Sequence, residues 1–148
     1  MRITTRGRYA LRASLALAKM GRTGELVSIN NLSEAEDISP IFLEQIFFHL
    51  KKAGLVKSVR GPGGGFNLTH PPEKMTVREI LIASGETLSP GNCDKHNDKC
   101  SRYSGCKSHK VWTKLSDVIN DYFQSITLAS LLEDGEEGKD NAERKASK

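Results

Sequence analysis

Apolar residues recur at three- and four-residue spacing along several stretches of the chain, which is typical of helices that bury one face. The spacing predicts a first helix over Thr5–Met20, with Gly21 as its stop. Further helices are expected after Ser28, Ser39 and Thr76, because each of these residues is a good N-cap. Most of the chain is therefore predicted to be helical.

Residues 39–69 combine a helix with a short β-ribbon. The apolar seam of the helix consists of Phe42, Leu43, Ile46, Phe47 and Leu50. Residues 55–60 and 66–69 have strand composition, and the glycine-rich segment 61–65 between them predicts a sharp reversal. A short turn separates this helix from the one before it, which predicts a helix-turn-helix. The predicted fold class is mostly α with a small β-ribbon, arranged as a winged helix-turn-helix domain with a long dimerisation helix.

The second half of the chain is predicted to hold a polar loop and a long helix. Thr76 and Glu79 have the spacing of a capping box, and the helix that they open ends near Gly85. The following loop has almost no large apolar residue, so it needs a function or a ligand to be ordered. We expect a winged domain over 1–85, a ligand-binding loop over 86–108, a dimerisation helix with a short C-terminal helix over 109–132, and a disordered charged tail over 133–148.

The charge distribution favours a polyanionic partner. The chain has 148 residues, a formal net charge of +4 and 27% charged residues. Basic residues are concentrated near the start and in the helix and ribbon, where they are Arg2, Arg6, Arg8, Arg12, Lys51, Lys52, Lys57 and Arg60. No apolar stretch approaches the roughly 20 residues of a membrane helix, so we expect a cytoplasmic protein with no membrane partner.

The helix that begins after Ser39 is predicted to recognise double-stranded DNA. Glu44 can accept from the amine of cytosine, and Gln45 can bond adenine through two atoms. Arg60 lies beside the glycine-rich turn, from which it can reach phosphates or the minor groove. In the alternative interpretation the helix and ribbon pack only against their own domain, and these polar side chains are ordinary solvated residues.

A cysteine pattern in the loop predicts a soft-metal site. Cys93, Cys100, Cys106 and His109 have the spacing C-x6-C-x5-C-x2-H. Three thiolates and an imidazole suit tetrahedral zinc or an iron–sulfur cluster, and the spacing alone does not choose between them. The wide separation of the ligands and the small, polar loop favour a cluster.

Other interpretations of the loop stay open. His96 follows Cys93 at short spacing and is an alternative ligand to His109, whereas Asp94 or Asp98 would suit a harder ion. Neighbouring lysines could also activate the thiols as a metal-free redox switch. If the loop held zinc or acted as a thiol switch, the protein would be a zinc-stabilised or thiol-switched interaction module. We do not expect an enzyme, because the sequence supplies neither an orienting acid nor oxyanion donors for a nucleophilic cysteine.

The apolar residues of 109–126 predict a dimer interface. They form a wide, partly aromatic stripe of Val111, Trp112, Leu115, Val118, Ile119, Tyr122, Phe123 and Ile126. The simplest alternative is that the stripe packs against its own domain. We favour a homodimer on a palindromic promoter site, because small DNA-binding modules usually pair to contact two half-sites.

Three parts of the chain resemble one known family. The stretches MRITTRGRYALRA and LEQIFFHLKKAGLVKSVRGPGGGF, with the loop of three cysteines and a histidine, closely resemble the winged-helix regulators typified by IscR, the iron–sulfur cluster regulator, with NsrR and RirA as relatives. The resemblance covers about residues 1–132. It implies a homodimeric repressor or activator of transcription, often of cluster-assembly genes.

The resemblance also implies a set of site residues. A 2Fe-2S cluster would be held by Cys93, Cys100, Cys106 and His109, and the histidine favours this type over a 4Fe-4S cluster with four cysteines. The residues that would contact DNA are Ser39, Glu44, Gln45 and Arg60. The first cysteine gap is one residue longer than in IscR. Arg8 stands where nitric-oxide-sensing relatives place a carboxylate ligand, so that mode of ligation is not expected here.

Overall fold

The computed structural model describes residues 1–22, 24–91, 93 and 100–135. The helices are α1 (Thr5–Met20), α2 (Ile29–Glu36), α3 (Pro40–Lys52), α4 (Val77–Ala83), α5 (His109–Ser125) and α6 (128–135), and the strands are β1 (Val56–Val59) and β2 (Gly65–Leu68). Short 3-10 turns cover Pro72–Lys74 and Tyr103–Gly105. The fold is mostly helical with one small ribbon, as the sequence predicted.

Helices α1, α2 and α3 enclose the main core. Each begins at a capping side chain: Thr4 accepts from the amide of Gly7, Ser28 from that of Asn31, and Ser39 from that of Phe42. The face of α1 that packs inward consists of small residues and one leucine, which lets its neighbours approach closely. The fully buried side chains of α3 are Leu43, Ile46, Phe47 and Leu50. They fix one face of α3 and leave the other exposed.

The ribbon is a two-stranded antiparallel sheet. Val56 pairs with Leu68 and Val59 with Gly65, so the glycine-rich segment forms the tip. Val27 adds one bridge to Phe66, with N–O distances of 2.8 and 2.9 Å. A Cβ atom at Gly65 would lie 2.6 Å from the carbonyl oxygen of Val27, which explains the need for glycine there. Strand β2 is thus attached to the segment between α1 and α2.

Residues 126–128 pack back against the core that α1, α2 and α3 enclose. The predicted capping box of α4 is present, with Thr76 and Glu79 bonding each other's backbone amides. Thr76 forms a bridge to Thr127, flanked by bonds of 2.9 Å from the Val77 amide to the Ile126 carbonyl and from the Leu128 amide to the Met75 carbonyl. Leu128 is fully buried in the main core. Residue 128 therefore packs in the core that α1, α2 and α3 enclose.

The last described residues continue α6. Residues 133–135 are helical and extend α6, because the turn before them is anchored by the partly buried Leu131 and Leu132. Residues 136–148 lie outside the described part of the chain. The alternative ligands Asp94, His96 and Asp98 lie outside it as well.

Candidate nucleic-acid interface and cysteine segment

The exposed face of α3 carries the predicted base-contacting residues. Glu44 and Gln45 are both exposed, and they line one shallow groove with Arg6 of α1. Because the opposite face of α3 is fully buried, the backbone of α3 is held rigidly while these side chains stay available. Ser39 has a structural role at the start of the helix, where its hydroxyl accepts from the amide of Phe42 at 3.3 Å.

The tip of the ribbon places Arg60 next to the same helix. Arg60 is exposed and directly follows β1, and it lines a second groove with Glu44 and Lys51. Gly61 and Gly63 have φ angles of 100° and 73°, a left-handed backbone that other residues rarely adopt. The turn therefore depends on its glycines and brings Arg60 to the side of α3.

A hydrogen bond fixes the ribbon relative to α3. The ammonium of Lys51 donates to the hydroxyl of Ser58 at 2.6 Å. Lys52, Lys57 and Arg60 are exposed nearby and add positive charge at this edge of the molecule. The helix and ribbon thus form one surface with polar groups at its centre and cations around them, which suits a polyanion. We name this surface, formed by the exposed side of α3 together with Arg6 and the ribbon, the α3 face.

The predicted metal ligands lie on and before the first turn of α5. Cys93 and Cys106 are partly buried, Cys100 is exposed, and His109 is the first residue of α5. The 3-10 turn Tyr103–Gly105 separates the second and third cysteines. Within the described residues no three histidine, cysteine or acidic side chains form a group that could hold a metal ion. The donor chemistry fits a soft metal, but the structure does not bring these donors together.

The third cysteine and the histidine have defined local partners. The sulfur of Cys106 lies 3.1 Å from the hydroxyl of Ser108, and this hydrogen bond is the main reason that the pKa of the Cys106 thiol lies below its usual value. The Nε2 atom of His109 lies 3.1 Å from the hydroxyl of Thr113, and the ring packs 4.2 Å from that of Tyr103. The Thr113 hydroxyl can donate a hydrogen bond to Nε2 or accept one from it, depending on the tautomer of the ring. It can therefore orient the imidazole for ligation.

The segment between α4 and α5 that carries the cysteines, residues 86–108, is called the cysteine segment, and Glu86 attaches it to the start of α1. This residue is buried, and its carboxylate accepts hydrogen bonds from the backbone amide of Thr4, at 3.3 Å to each oxygen, and from the Thr4 hydroxyl. The bonds place a negative charge at the N-terminus of α1, which favours that charge. A change in the segment thus has a direct route to α1.

The same segment is attached to α5. The side-chain amide of Asn120 donates to the carbonyl of Leu88 at 3.1 Å and accepts from Arg78 at 2.9 Å. The hydroxyl of Ser116 donates to Ser89 at 3.2 Å. Residues 86–89 are therefore fixed between α1, α4 and α5.

One part of the apolar stripe of α5 packs against the protein, and the other part is exposed to solvent. Ile119 and Phe123 pack against a small core formed with α4. The exposed apolar residues of α5 are Val111, Trp112, Leu115, Val118 and Tyr122. Their exposed fractions run from 39% to 62%, which is unusual for neighbouring large apolar side chains on one helix face. None of the helices in the described residues has the length and apolar composition required to cross a membrane.

Three residues of these sites were not among those predicted from the sequence. Ile41 and Phe48 are exposed on α3 beside Glu44, and their spacing of seven residues, outside the buried seam, was the available signal. Glu86 gave no signal, because its partner Thr4 is 82 residues away in the chain.

Known proteins match nearly the whole chain. The profile of the Rrf2 family, described as an iron-dependent transcriptional regulator, matches residues 3–134. A protein of Neisseria meningitidis serogroup A, described as a helix-turn-helix-type transcriptional regulator, is 40% identical over 93% of this chain and 92% of its own. IscR of Vibrio campbellii is 38% identical over 92% of this chain and 80% of its own.

Two solved structures resemble the fold. The structure of IscR from T. potens has a TM-score of 0.73 and 33% identity, and it covers 93% of this chain and 90% of its own. The structure of CymR, the global cysteine regulator of B. subtilis, has a TM-score of 0.70 and 29% identity, covering 88% of this chain and 95% of its own.

Proposed function

Because the chain belongs to the Rrf2 family of transcriptional regulators and is not an enzyme, we propose that it is a homodimer whose recognition of promoter DNA is tuned by an iron–sulfur cluster. The observation that carries the proposal is the exposed face of α3, where Glu44 and Gln45 lie beside a ribbon that holds Arg60. We assign base contacts to the two α3 residues, a phosphate or minor-groove contact to Arg60, and a contact at the helix start to Ser39.

We assign the cluster to Cys93, Cys100, Cys106 and His109. The assignment is supported by the donor chemistry, the lowered pKa of Cys106 and the hydroxyl beside the His109 imidazole. When bound, a 2Fe-2S cluster would supply metal–ligand bonds across the segment and a centre that can change its redox state. The similarity to relatives named IscR supports an iron–sulfur cluster over zinc, and a histidine as the fourth ligand favours a 2Fe-2S cluster over a 4Fe-4S cluster with four cysteines.

The contacts of residues 86–89 provide the proposed connection between the ligands and DNA. Glu86 bonds the start of α1, and Leu88 and Ser89 bond α5. A ligand shifts a conformational equilibrium only by its different affinity for the two states. We therefore expect the cluster-free protein to stay folded and to prefer a different class of DNA site.

DNA binding is tested by fluorescence anisotropy with the full-length protein and palindromic duplexes at increasing salt. The affinity should fall steeply with salt, because binding releases counterions from phosphates. Arg60→Ala should weaken binding by about 1 to 3 kcal/mol and make the salt dependence shallower. Lys74→Ala, an exposed cation outside the α3 face, is the control and should bind as the unchanged protein does. Equal binding by both variants would exclude the ribbon from the contact surface.

The cofactor is tested by anaerobic purification followed by assays of iron, sulfide and zinc. We expect iron and acid-labile sulfide in equal amounts, with visible absorption that is lost in Cys106→Ala. His109→Ala should also reduce cluster retention, whereas full retention would assign the fourth ligand to His96. A colourless protein that holds stoichiometric zinc would instead support a zinc-stabilised module.

A metal-free thiol switch is the second candidate. The hydrogen bond from Ser108 lowers the pKa of Cys106, which favours the thiolate, and the structural neighbour CymR is named as a cysteine regulator. This alternative predicts that a protein without metal changes its DNA affinity after mild oxidation. The cluster proposal predicts that such a protein is unaffected until a cluster is inserted.

A further inference from the structure

Two large apolar side chains project from the α3 face into solvent. Ile41 is 72% exposed and Phe48 is 64% exposed, although the other aliphatic and aromatic side chains of α3 after Pro40 are at least partly buried. Burying a side chain of this size is normally favourable. Their exposure on a helix with a complete core on its other side indicates a role in binding.

The surroundings of these side chains favour an anionic partner. Phe48 stands between two shallow grooves, one lined by Arg6, Ile41, Glu44, Gln45 and His49, and the other extending along the ribbon to Lys51 and Arg60. The apolar groups are thus set among hydrogen-bonding side chains, with cations at the edges. A protein partner that covered only the apolar groups would leave those cations without counter-charges.

We propose that Ile41 and Phe48 determine sequence specificity by contacting the C5-methyl groups of thymines in the major groove. The thymine methyl is the apolar group that base edges present there, and apolar side chains recognise it by direct contact. The inference rests on the proposed DNA-binding function. It adds thymine recognition to the contacts assigned to Glu44 and Gln45.

The helix geometry sets the spacing of the two thymines. Ile41 and Phe48 are seven residues apart on one face, which corresponds to about 10 Å along a helix axis. Base pairs stack at about 3.4 Å. A helix that follows the groove therefore places its two apolar contacts about three base pairs apart, and Glu44 and Gln45 face the positions between them.

The test begins with the selection of preferred duplexes from a random pool by the full-length protein. Each thymine of the selected duplex is then replaced singly by deoxyuridine, which removes only the C5-methyl group. For the unchanged protein we expect two sensitive positions in each half-site, about three base pairs apart. Each replacement should weaken binding by about fourfold, which corresponds to the burial of one methyl-sized group.

Variants assign each position to a side chain. Phe48→Ala should bind the thymine duplex more weakly and become insensitive to deoxyuridine at one of the two positions, and Ile41→Ala should do the same at the other. Both side chains are exposed, so neither variant should unfold the protein, and thermal melting verifies this. Ile82→Ala is the matched control, because Ile82 is an apolar residue of α4 that is 44% exposed outside the α3 face.

The outcomes separate this inference from the function on which it rests. Salt-dependent duplex binding that ignores deoxyuridine at every position would overturn thymine recognition and leave DNA binding intact. The absence of any duplex binding would overturn both. A Phe48→Ala protein that keeps its sensitivity to deoxyuridine but changes its mass in solution would assign the side chain to contacts between protein copies and overturn the inference.

Discussion

Glu44 is an acidic side chain on a surface that is otherwise suited to an anion. Its carboxylate is exposed between Ile41 and Phe48 and lines both grooves of the α3 face. Near DNA the phosphates repel a carboxylate. A hydrogen bond from a base such as cytosine can offset this repulsion. We therefore expect this residue to discriminate against wrong sequences more than it strengthens binding to the correct one.

Replacement of Glu44 by alanine should relax sequence preference. The Glu44→Ala protein should bind unrelated duplexes more tightly, and its preference for a selected duplex should fall by about tenfold, since a specific base contact contributes about 1 to 3 kcal/mol. Competition binding of selected and scrambled duplexes measures the ratio. Glu34→Ala removes an exposed carboxylate from α2 and should leave the ratio as it is. An unchanged ratio in Glu44→Ala would show that the carboxylate does not discriminate.

At the scale of elements, the contact between α1 and the cysteine segment is tightly packed. A Cβ atom at Gly7 would lie 2.6 Å from a carboxylate oxygen of Glu86, so a larger residue at this position requires the Glu86 side chain to move. Gly7→Ala should lower the free energy of unfolding by about 1 to 3 kcal/mol, because Glu86 must give up its bonds to Thr4. Urea denaturation measures the change.

The double variant identifies the cause of that loss. Gly7→Ala combined with Glu86→Ala should be less destabilised than the sum of the single variants, because the clash is already removed by the second substitution. Gly91→Ala serves as the control, since an added Cβ there meets no atom within 4 Å. Additive losses would mean that Gly7 is required for a reason other than contact with Glu86.

The helices and the ribbon were predictable from the sequence where they depend on residues that are only a few positions apart. The bounds of α1 and the caps Ser28, Ser39 and Thr76 follow from the spacing of apolar residues and from side chains that bond amides a few positions away. The ribbon follows from its glycines. These signals need only a short window of sequence.

Distant contacts were not predictable from the same signals. The burial of Leu128 in the main core and the bond from Thr4 to Glu86 join residues that are far apart in the chain. The division of the α5 stripe into a packed and an exposed side depends on where α4 lies, which periodicity does not reveal. Likewise, the spacing of the cysteines gives the donor chemistry but not the convergence of the donors, which are 16 residues apart from first to last.

At the scale of the whole molecule, the exposed side of α5 is the best candidate for contact with a second copy. Leu115, Val118 and Tyr122 lie on one face and are exposed by 39%, 51% and 62%. A standard protein interface buries about 800 Å² on each partner, and an exposed helix of this length can supply much of it. Pairing through α5 would leave the α3 face of each copy available to DNA.

A charge placed in this face should prevent pairing. Val118→Glu should convert a dimer to a monomer, because the carboxylate would be buried without a partner. Light scattering after size-exclusion chromatography measures the mass, and affinity for a palindromic duplex should fall together with it. Gln124→Glu adds the same charge at an exposed position elsewhere on α5 and should remain dimeric. A Val118→Glu protein with the mass of the unchanged protein would locate the interface elsewhere.

The bridge between Thr76 and Thr127 has a consequence for biosynthesis. The carbonyl of Met75 and the amide of Val77 bond to residues 128 and 126, and Leu128 completes the main core. While the chain is still being translated, its first half leaves the ribosome before those partners exist. The Met75 carbonyl and the Val77 amide therefore stay without these partners, and the main core without Leu128, until residues 126–128 have emerged.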